Sequence, residues 1–347
     1  MNLIVCSDLH LNVYSKYSRP LNHRYVTNTN LRHEFAVLDS IFQLAVRRHA
    51  AVVFNGDFFD QRGHIDTRVM NLAMAKVCRY AKKVPIYFNS GNHDQLNNSR
   101  IPPSSLDAFE WINGVKVFDQ PGVIRTDGVD LVMIPYSNDV SWLKRQIRRI
   151  AVKVTRPAVE FFHLGIAGSR NTSHLVKLSG AFSLEDLCPD RYDYVVGGHY
   201  HLRQKLGPNA WYVGSTIPHE HADDFQQKGV DLVSINPSGD SHRLIPIKSP
   251  MFYTFDLAKR QVNRSQIVRL SKQNVVKVIT HDQSTARWYS DHTKCEIDDE
   301  APVKYHSRLN LKSTATPGEI VKKYCQHYYD QPTARKALQI LERVTGE

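Results

Sequence analysis

The chain has 347 residues, with 45 Lys and Arg against 34 Asp and Glu, a formal charge of +11 and 41% hydrophobic content. That size suits two domains, or one large domain with an appendage, and the composition excludes the disordered and fibrous classes. No run approaches ~18 uncharged apolar residues, so no membrane span is expected, and the surplus charge favours an anionic partner without naming one.

In chain order, the N-terminus enters a strand pattern at once, without a basic leader, so no signal peptide is expected. Short apolar runs then follow at Leu3–Cys6, Ala51–Phe54, Val84–Phe88, Leu131–Ile134, Val159–Phe162 (interrupted by Glu160) and Tyr192–Val196 (interrupted by Asp193). Their length, β-branched and aromatic content and flanking turn residues read as buried strands. Amphipathic helix patterns cover Arg32–Arg48 and Asp66–Lys82. Strands separated by helices argue for an α/β sheet covered on both faces. Trp211–Gly214 and Val230–Ile235 read as further strands without intervening helices. A break is expected at Asn236–Asp240, with prolines again at Pro246 and Pro250. Beyond it, Phe252–Leu257, Val275–Ile279 and Val303–Leu311 read as strands of a small α+β unit. From Thr316 the pattern is helical, with Thr316 as N-cap and Glu319 completing a capping box. The expected units are 1–247, 248–312 and 313–347. The five cysteines are scattered and never form CxxC. They suit a reducing cytoplasm, with neither a disulfide framework nor a zinc knuckle.

Five polar motifs follow five of the runs directly or within two residues: Asp8-Leu9-His10, Gly56-Asp57-Phe58-Phe59-Asp60, Gly91-Asn92-His93-Asp94, His163, and Gly198-His199-Tyr200-His201. Open α/β sheets bind ligands at the carboxyl ends of their strands, so the motifs are expected to meet on one rim. The set is rich in oxygen and imidazole donors and lacks thiolate, which suits hard or borderline divalent ions. Two such ions ~3.5–4 Å apart clamp a phosphate and activate a water. A lone Asp-x-His is common after strands, and the aspartate of a lone Gly-Asp-x-x-Asp can be merely a helix N-cap. Five motifs in this order, each at a strand end, are not explained that way.

The pattern D-x-H, G-D-x-x-D, G-N-H-[DE], H, G-H-x-H resembles that of the calcineurin-like metallophosphoesterases, and every element is matched. The resemblance implies a two-sheet sandwich flanked by helices, with a small α+β capping domain and a C-terminal helical segment. It implies two divalent ions, manganese first, with magnesium, iron(II) and zinc as alternatives. Asp8, His10, Asp57 and His201 would hold one ion; Asp57, Asn92, His163 and His199 would hold the other, with Asp57 bridging. His93 would act on the leaving oxygen, and Asp60 would hydrogen-bond and orient His93. Asp94 is left open between a turn role and a functional one.

Within the family, Gly56–Gly63 (GDFFDQRG) comes close to the protein phosphatase pattern, but Arg62 falls one residue late and Asp94 stands where glutamate is expected. The segments Phe182–Leu187, Asp193–His199, Tyr212–Thr216 and Lys228–Val230 look instead like the SbcD-type nuclease subunits of bacteria and phages. That resemblance implies a DNA exonuclease or endonuclease of recombination, repair or replication, a homodimer, and an SbcC-type ATPase partner docked on the 313–347 helix. Dimer helices would fall at about 66–82 and 104–112. Tyr324, Tyr328 and Tyr329 would either meet the ATPase or form the buried stripe of a local helix. Two basic clusters are candidate DNA contacts: Lys144, Arg145, Arg148, Arg149 and Lys153 on one helix, and Arg260, Arg264, Arg269, Lys272 and Lys277 on the capping side. The alternatives are a phosphodiesterase or phosphatase acting on small or protein substrates, and a non-catalytic DNA-binding scaffold. The complete ligand set speaks against the scaffold.

Overall fold

The computed structural model describes residues 1–14, 16–170, 179–224, 226–236, 239–300, 309, 311–312 and 314–345. In chain order the elements are β1 (Asn2–Cys6), α1 (Thr29–Arg48), β2 (Ala51–Asn55), α2 (Thr67–Ala81), β3 (Ile86–Asn89), β4 (Val115–Phe118), β5 (Gly122–Thr126), β6 (Val129–Ile134), α3 (Val140–Ala151), β7 (Ala158–His163), β8 (Tyr194–Gly198), β9 (Gln204–Lys205), β10 (Ala210–Tyr212), β11 (Gly229–Ser234), β12 (Ser241–Pro246), β13 (Phe252–Asp256), α4 (Arg264–Ser271), β14 (Val275–Thr280), α5 (Gln283–His292), β15 (Glu296–Asp299), α6 (Pro317–Tyr328) and α7 (Gln331–Thr345).

The described strands form two six-stranded sheets and one of three strands. The first sheet runs β12-β11-β1-β2-β3-β4, the second β5-β6-β7-β8-β10-β9, the third β13-β14-β15. The first two face each other. Alternation along β1 makes this possible, because successive side chains of a strand point to opposite faces. Leu3 and Val5 join Val53, Leu131, Phe161 and Val196 in the seam between the sheets, while Ile4 and Cys6 face outward into a second core with α1 and α2. On the far side, Leu143, Ile147 and Ile150 of α3 cover Val132, Phe162 and Val195. Burial on both faces is why the central strands are nearly unbroken apolar runs. The result is the α/β sandwich flanked by helices expected from the motifs.

Local chemistry fixes the ends of these elements. Asn28 caps α1 by accepting from the Leu31 amide, so the helix begins at Thr29, three residues before the expected start. Asp127 and Gly128, both at positive φ, make the two-residue turn joining β5 to β6. Thr316 and Glu319 bond reciprocally at the head of α6, as the sequence indicated.

Several expectations change. The break at Asn236–Asp240 lies inside one hairpin, because β11 and β12 pair antiparallel on either side of it. The expected helix at 104–112 is reduced to a single 3-10 turn, Asp107–Phe109, between prolines and a glycine. The strand expected at Val303–Leu311 falls almost entirely outside the described residues. Tyr324, Tyr328 and Tyr329 are about half exposed and pack on one another, so they are not a buried stripe. No described helix is long and apolar enough to cross a membrane.

Candidate metal centre

The motif residues lie at the carboxyl ends of strands from both sandwich sheets. β1, β2 and β3 deliver Asp8, His10, Asp57 and Asn92; β7 and β8 deliver His163, His199 and His201. Beneath them, Asn55 joins the sheets. Its amide donates to the carbonyls of Phe162 and Val196, and its oxygen accepts from Asn89. The backbone turns sharply at the ligands. Asp8, His10, Asp57 and His199 all hold positive φ, between 48° and 96°. Such conformations cost about 1–3 kcal/mol each and persist only where the surroundings enforce them.

Two clusters result, Asp8 with His10 and His201, and Asp57 with His163 and His199. His10 Nε2 lies 3.3 Å from His201 Nε2, His163 Nε2 3.3 Å from Asp57 Oδ2, and His199 Nδ1 3.0 Å from Asn92 Oδ1. Donors at ~2.1 Å from a common ion stand roughly 3.0–3.4 Å apart in octahedral or tetrahedral geometry. Asp8 Oδ1 and His163 Nε2 are buried without a hydrogen-bond partner, although both belong to strongly polar groups. The Nδ1–H of His163 donates to the Asn55 carbonyl, so in the neutral ring Nε2 is the nitrogen that carries the lone pair. These residues fit a dinuclear metal site. Asp57, whose Oδ1 accepts from the His93 amide, stands between the clusters, 3.3 Å from His163 and 3.8 Å from His10.

The charges agree. Burial opposes ionisation of Asp57, but His163, His10 and His93 outweigh it and hold the carboxyl far below its usual range. Burial likewise opposes the charged forms of His10 and His163, yet the surrounding carboxylates raise both to about 9. Burial and neighbouring cations lower His199 to about 4 and push His201 well below its ordinary value. Two imidazoliums thus balance the carboxylates where divalent cations would otherwise do so, and binding of such cations would release those protons.

Asp60 meets His93 through its main chain. His93 Nδ1 donates to the Asp60 main-chain carbonyl, whereas the Asp60 carboxylate faces His10 Nδ1 at 3.4 Å. The carboxylate therefore orients a ligand, and the peptide group orients His93. Asp94 takes the turn role, accepting from the amides of Phe59 and Gly91 while fully buried.

Sequence reasoning missed His219. Its Nε2–H donates to the Asp8 carbonyl, and its ring packs edge-on against His10 with centroids 5.0 Å apart. It sits beyond β10 on the ligand rim, so the strand-end rule applied to that strand would have found it. Lys228 was also overlooked as a support; it donates to the His201 carbonyl and pairs with Asp223.

The basic residues expected at DNA are mostly not brought to the centre. A large cavity opens above the ligands, and of those residues only Lys272 lines it. Lys144 and Arg148 instead pair with Asp186 of the 3-10 turn beside α3. Arg145 and Arg149 face solvent. Arg260 lies over Phe255 and donates to the Thr254 carbonyl, and Arg264 lies over Trp288. Lys277 pairs with Asp298.

A protein of Invertebrate iridescent virus 3, named as a phosphoesterase, is 26% identical over 195 residues, 53% of this chain and 52% of that protein. The DNA double-strand break repair protein Mre11 of Thermoplasma acidophilum is 24% identical over 208 residues, 57% of this chain and 54% of that protein. The chain thus spans about half the length of these two relatives. A solved dimetal phosphatase from Danio rerio aligns at 12% identity and a TM-score of 0.43, over 72% of this chain and 99% of that one. The family model for calcineurin-like phosphoesterases matches residues 1–203, which carry all seven candidate ligands and His93, and the chain belongs to that family.

Proposed function

We propose that the chain is a metal-dependent DNA nuclease that hydrolyses phosphodiester bonds, as an SbcD-type subunit of recombination, repair or replication. The observation that carries this reading is the ligand set with His93 at an open, basic cavity of about 1140 Å³, where His10, Asp57, Asn92, His93, His199 and His201 line the floor while Asp8 and His163 are fully buried. The likeness to the archaeal Mre11 protein supports it. A homodimer working with an SbcC-type ATPase belongs to the same proposal.

Asp8, His10, Asp57 and His201 would hold one ion, and Asp57, Asn92, His163 and His199 the other. Bound there, the ions supply Lewis-acid polarisation of the phosphoryl group and acidify a water. The chain's own residues supply the rest. His93 is fixed through Nδ1 to the Asp60 carbonyl, so Nε2 is the nitrogen left to give a proton to the departing sugar oxygen. Asp60 holds the His10 ring, and His219 holds the turn at Asp8. His199 also keeps that turn closed, its amide donating to Asp8 Oδ2.

The test gives Mn²⁺-loaded protein linear and hairpin DNA beside bis-p-nitrophenyl phosphate, with and without a candidate ATPase. Wild type is expected to cut DNA, and His93→Asn to bind metal but lose most turnover. Full cleavage by His93→Asn removes its role. Turnover of the small ester without any DNA cleavage moves the reading to a small-substrate phosphodiesterase.

A further inference from the structure

We infer that the cleft over the metal centre is a track for one strand of nucleic acid, with Arg32, Lys248 and Lys272 holding its phosphates; this rests on the nuclease reading above. The cleft has a floor and two walls. His93 and five of the candidate ligands, His10, Asp57, Asn92, His199 and His201, make the floor. One wall comes from residues 12–37, the loop after β1 and the first turns of α1. The other comes from residues 248–275, between β12 and the start of β14. Its volume of about 1140 Å³ exceeds the ~300–1,000 Å³ of ordinary small-molecule pockets. A lone phosphoester over the ligands would leave most of it empty.

Charge is segregated within the cleft. Among the described residues its two lining carboxylates, Asp57 and Asp60, belong to the floor, whereas the walls carry Lys16, Arg19, Arg32, Lys248 and Lys272. Lys16 is engaged with Tyr17, its ammonium 4.8 Å from the ring centre. Arg19, Arg32, Lys248 and Lys272 are exposed, and none appears in an ion pair among the described residues. Cations placed on both walls beyond the metal floor suit a ligand with several phosphates in series. A phosphopeptide, with its single phosphate, would be met by the floor alone.

Aromatic groups favour a single strand over a duplex. Tyr14 lines the same wall, is 47% exposed and is held through its hydroxyl by Gln61. Across the cleft, Tyr17 meets Phe252 edge-on at 5.1 Å, so an aromatic contact joins the two walls. Unpaired bases stack on an exposed ring such as that of Tyr14, while a basic groove tracks their backbone; the bases of a duplex have no free face to offer. A single strand can also lower one phosphate to a buried floor between walls without carrying a complementary strand with it.

The experiment uses the full chain. Metal-free protein is titrated with a fluorescein-labelled oligothymidylate at several salt concentrations and read by anisotropy. Mn²⁺-loaded protein is then given the oligothymidylate or bis-p-nitrophenyl phosphate. Arg32→Ala/Lys248→Ala/Lys272→Ala is expected to weaken oligomer binding about tenfold or more and to flatten the log–log salt slope by about two, at ~0.7 per phosphate contact. Turnover of the small ester, which also reports intact folding, stays as in wild type. Arg145→Ala/Arg149→Ala on α3 leaves oligomer binding unchanged. Wild-type oligomer affinity in the triple variant, an equal loss in the α3 pair, or tighter binding of a blunt duplex or a phosphopeptide overturns the strand track alone. A wild-type protein that turns over the small ester but neither binds nor cuts the oligomer overturns the nuclease reading itself.

Discussion

Gly56 is where the architecture of the centre can be tested with a single methyl group. It has φ +92°, and a Cβ there would overlap the His163 imidazole, with even Cε1 only 2.6 Å away. His163 has little freedom to yield, because Nδ1 is bonded to the Asn55 carbonyl and the residue is fully buried. Carbon contacts settle near 3.5 Å, so the ring must move by ~1 Å or more. Metal–ligand distances tolerate only about 0.2 Å, and the displaced nitrogen is lost as a ligand. Gly128 supplies the control. It too has positive φ, +76°, but a Cβ there meets nothing within 4 Å. Both substitutions carry the left-handed backbone cost of about 1–2 kcal/mol. Gly56→Ala alone adds the clash. Metal-free stability from urea unfolding should therefore fall further in Gly56→Ala than in Gly128→Ala. Calorimetric titration with Mn²⁺ should show a site weakened by at least the ~10–100-fold that losing an outer-shell partner costs. Equal stability in the two variants, together with wild-type Mn²⁺ affinity in Gly56→Ala, would refute the placement of His163.

Three further outcomes are expected. Asp60→Asn should raise the Mn²⁺ concentration needed for half-maximal turnover while sparing turnover at saturating metal, since its carboxylate holds His10 and its carbonyl holds His93; a loss at saturation matching that of His93→Asn contradicts this. Burial, softened by the neighbouring Tyr192 hydroxyl, raises Glu160 from 4.5 to about 8, so the native state keeps a proton that the unfolded chain has released. Its contribution to stability therefore declines as pH rises from about 4.5 to about 8, and Glu160→Gln should gain on wild type across that window, by at most about 5 kcal/mol at ~1.4 kcal/mol per unit; a gap independent of pH in urea melts at pH 5.5, 7 and 8.5 removes the argument. Chelation should abolish hydrolysis and lower the melting temperature, and added Mn²⁺ should restore both, because ions that bind only the native state stabilise it; a melting temperature indifferent to Mn²⁺ speaks against a preformed site.

The ligands were legible in the sequence because each follows an apolar run, and the runs were legible because β1, β2, β3, β6, β7 and β8 are buried on both faces. β5 and β12 escaped notice for the opposite reason. As edge strands they are partly exposed, and their sequences, Gly122–Thr126 and Ser241–Pro246, carry little continuous apolar signal. Edge position also explains why Asn236–Asp240 looked like a boundary. Its turn residues are those of any hairpin, and only the partner strand distinguishes the two cases. Sequence spacing does not tell a carboxylate from its own carbonyl, and at Asp60 it is the carbonyl that meets His93 while the carboxylate faces His10. The charged cleft was the least legible feature, since Arg32 and Lys248 lie more than 200 residues apart in the sequence.

The position of β1 has a kinetic consequence. It lies in the middle of the first sheet, parallel to β2 on one side and antiparallel to β11 on the other. The strand that leads into Asp8 and His10 thus stays an open edge until a segment more than 220 residues later arrives. Contacts of such long separation form slowly. During refolding, secondary structure should return before Mn²⁺-binding capacity does, and a chain stopped before β11 should collapse without acquiring a working centre.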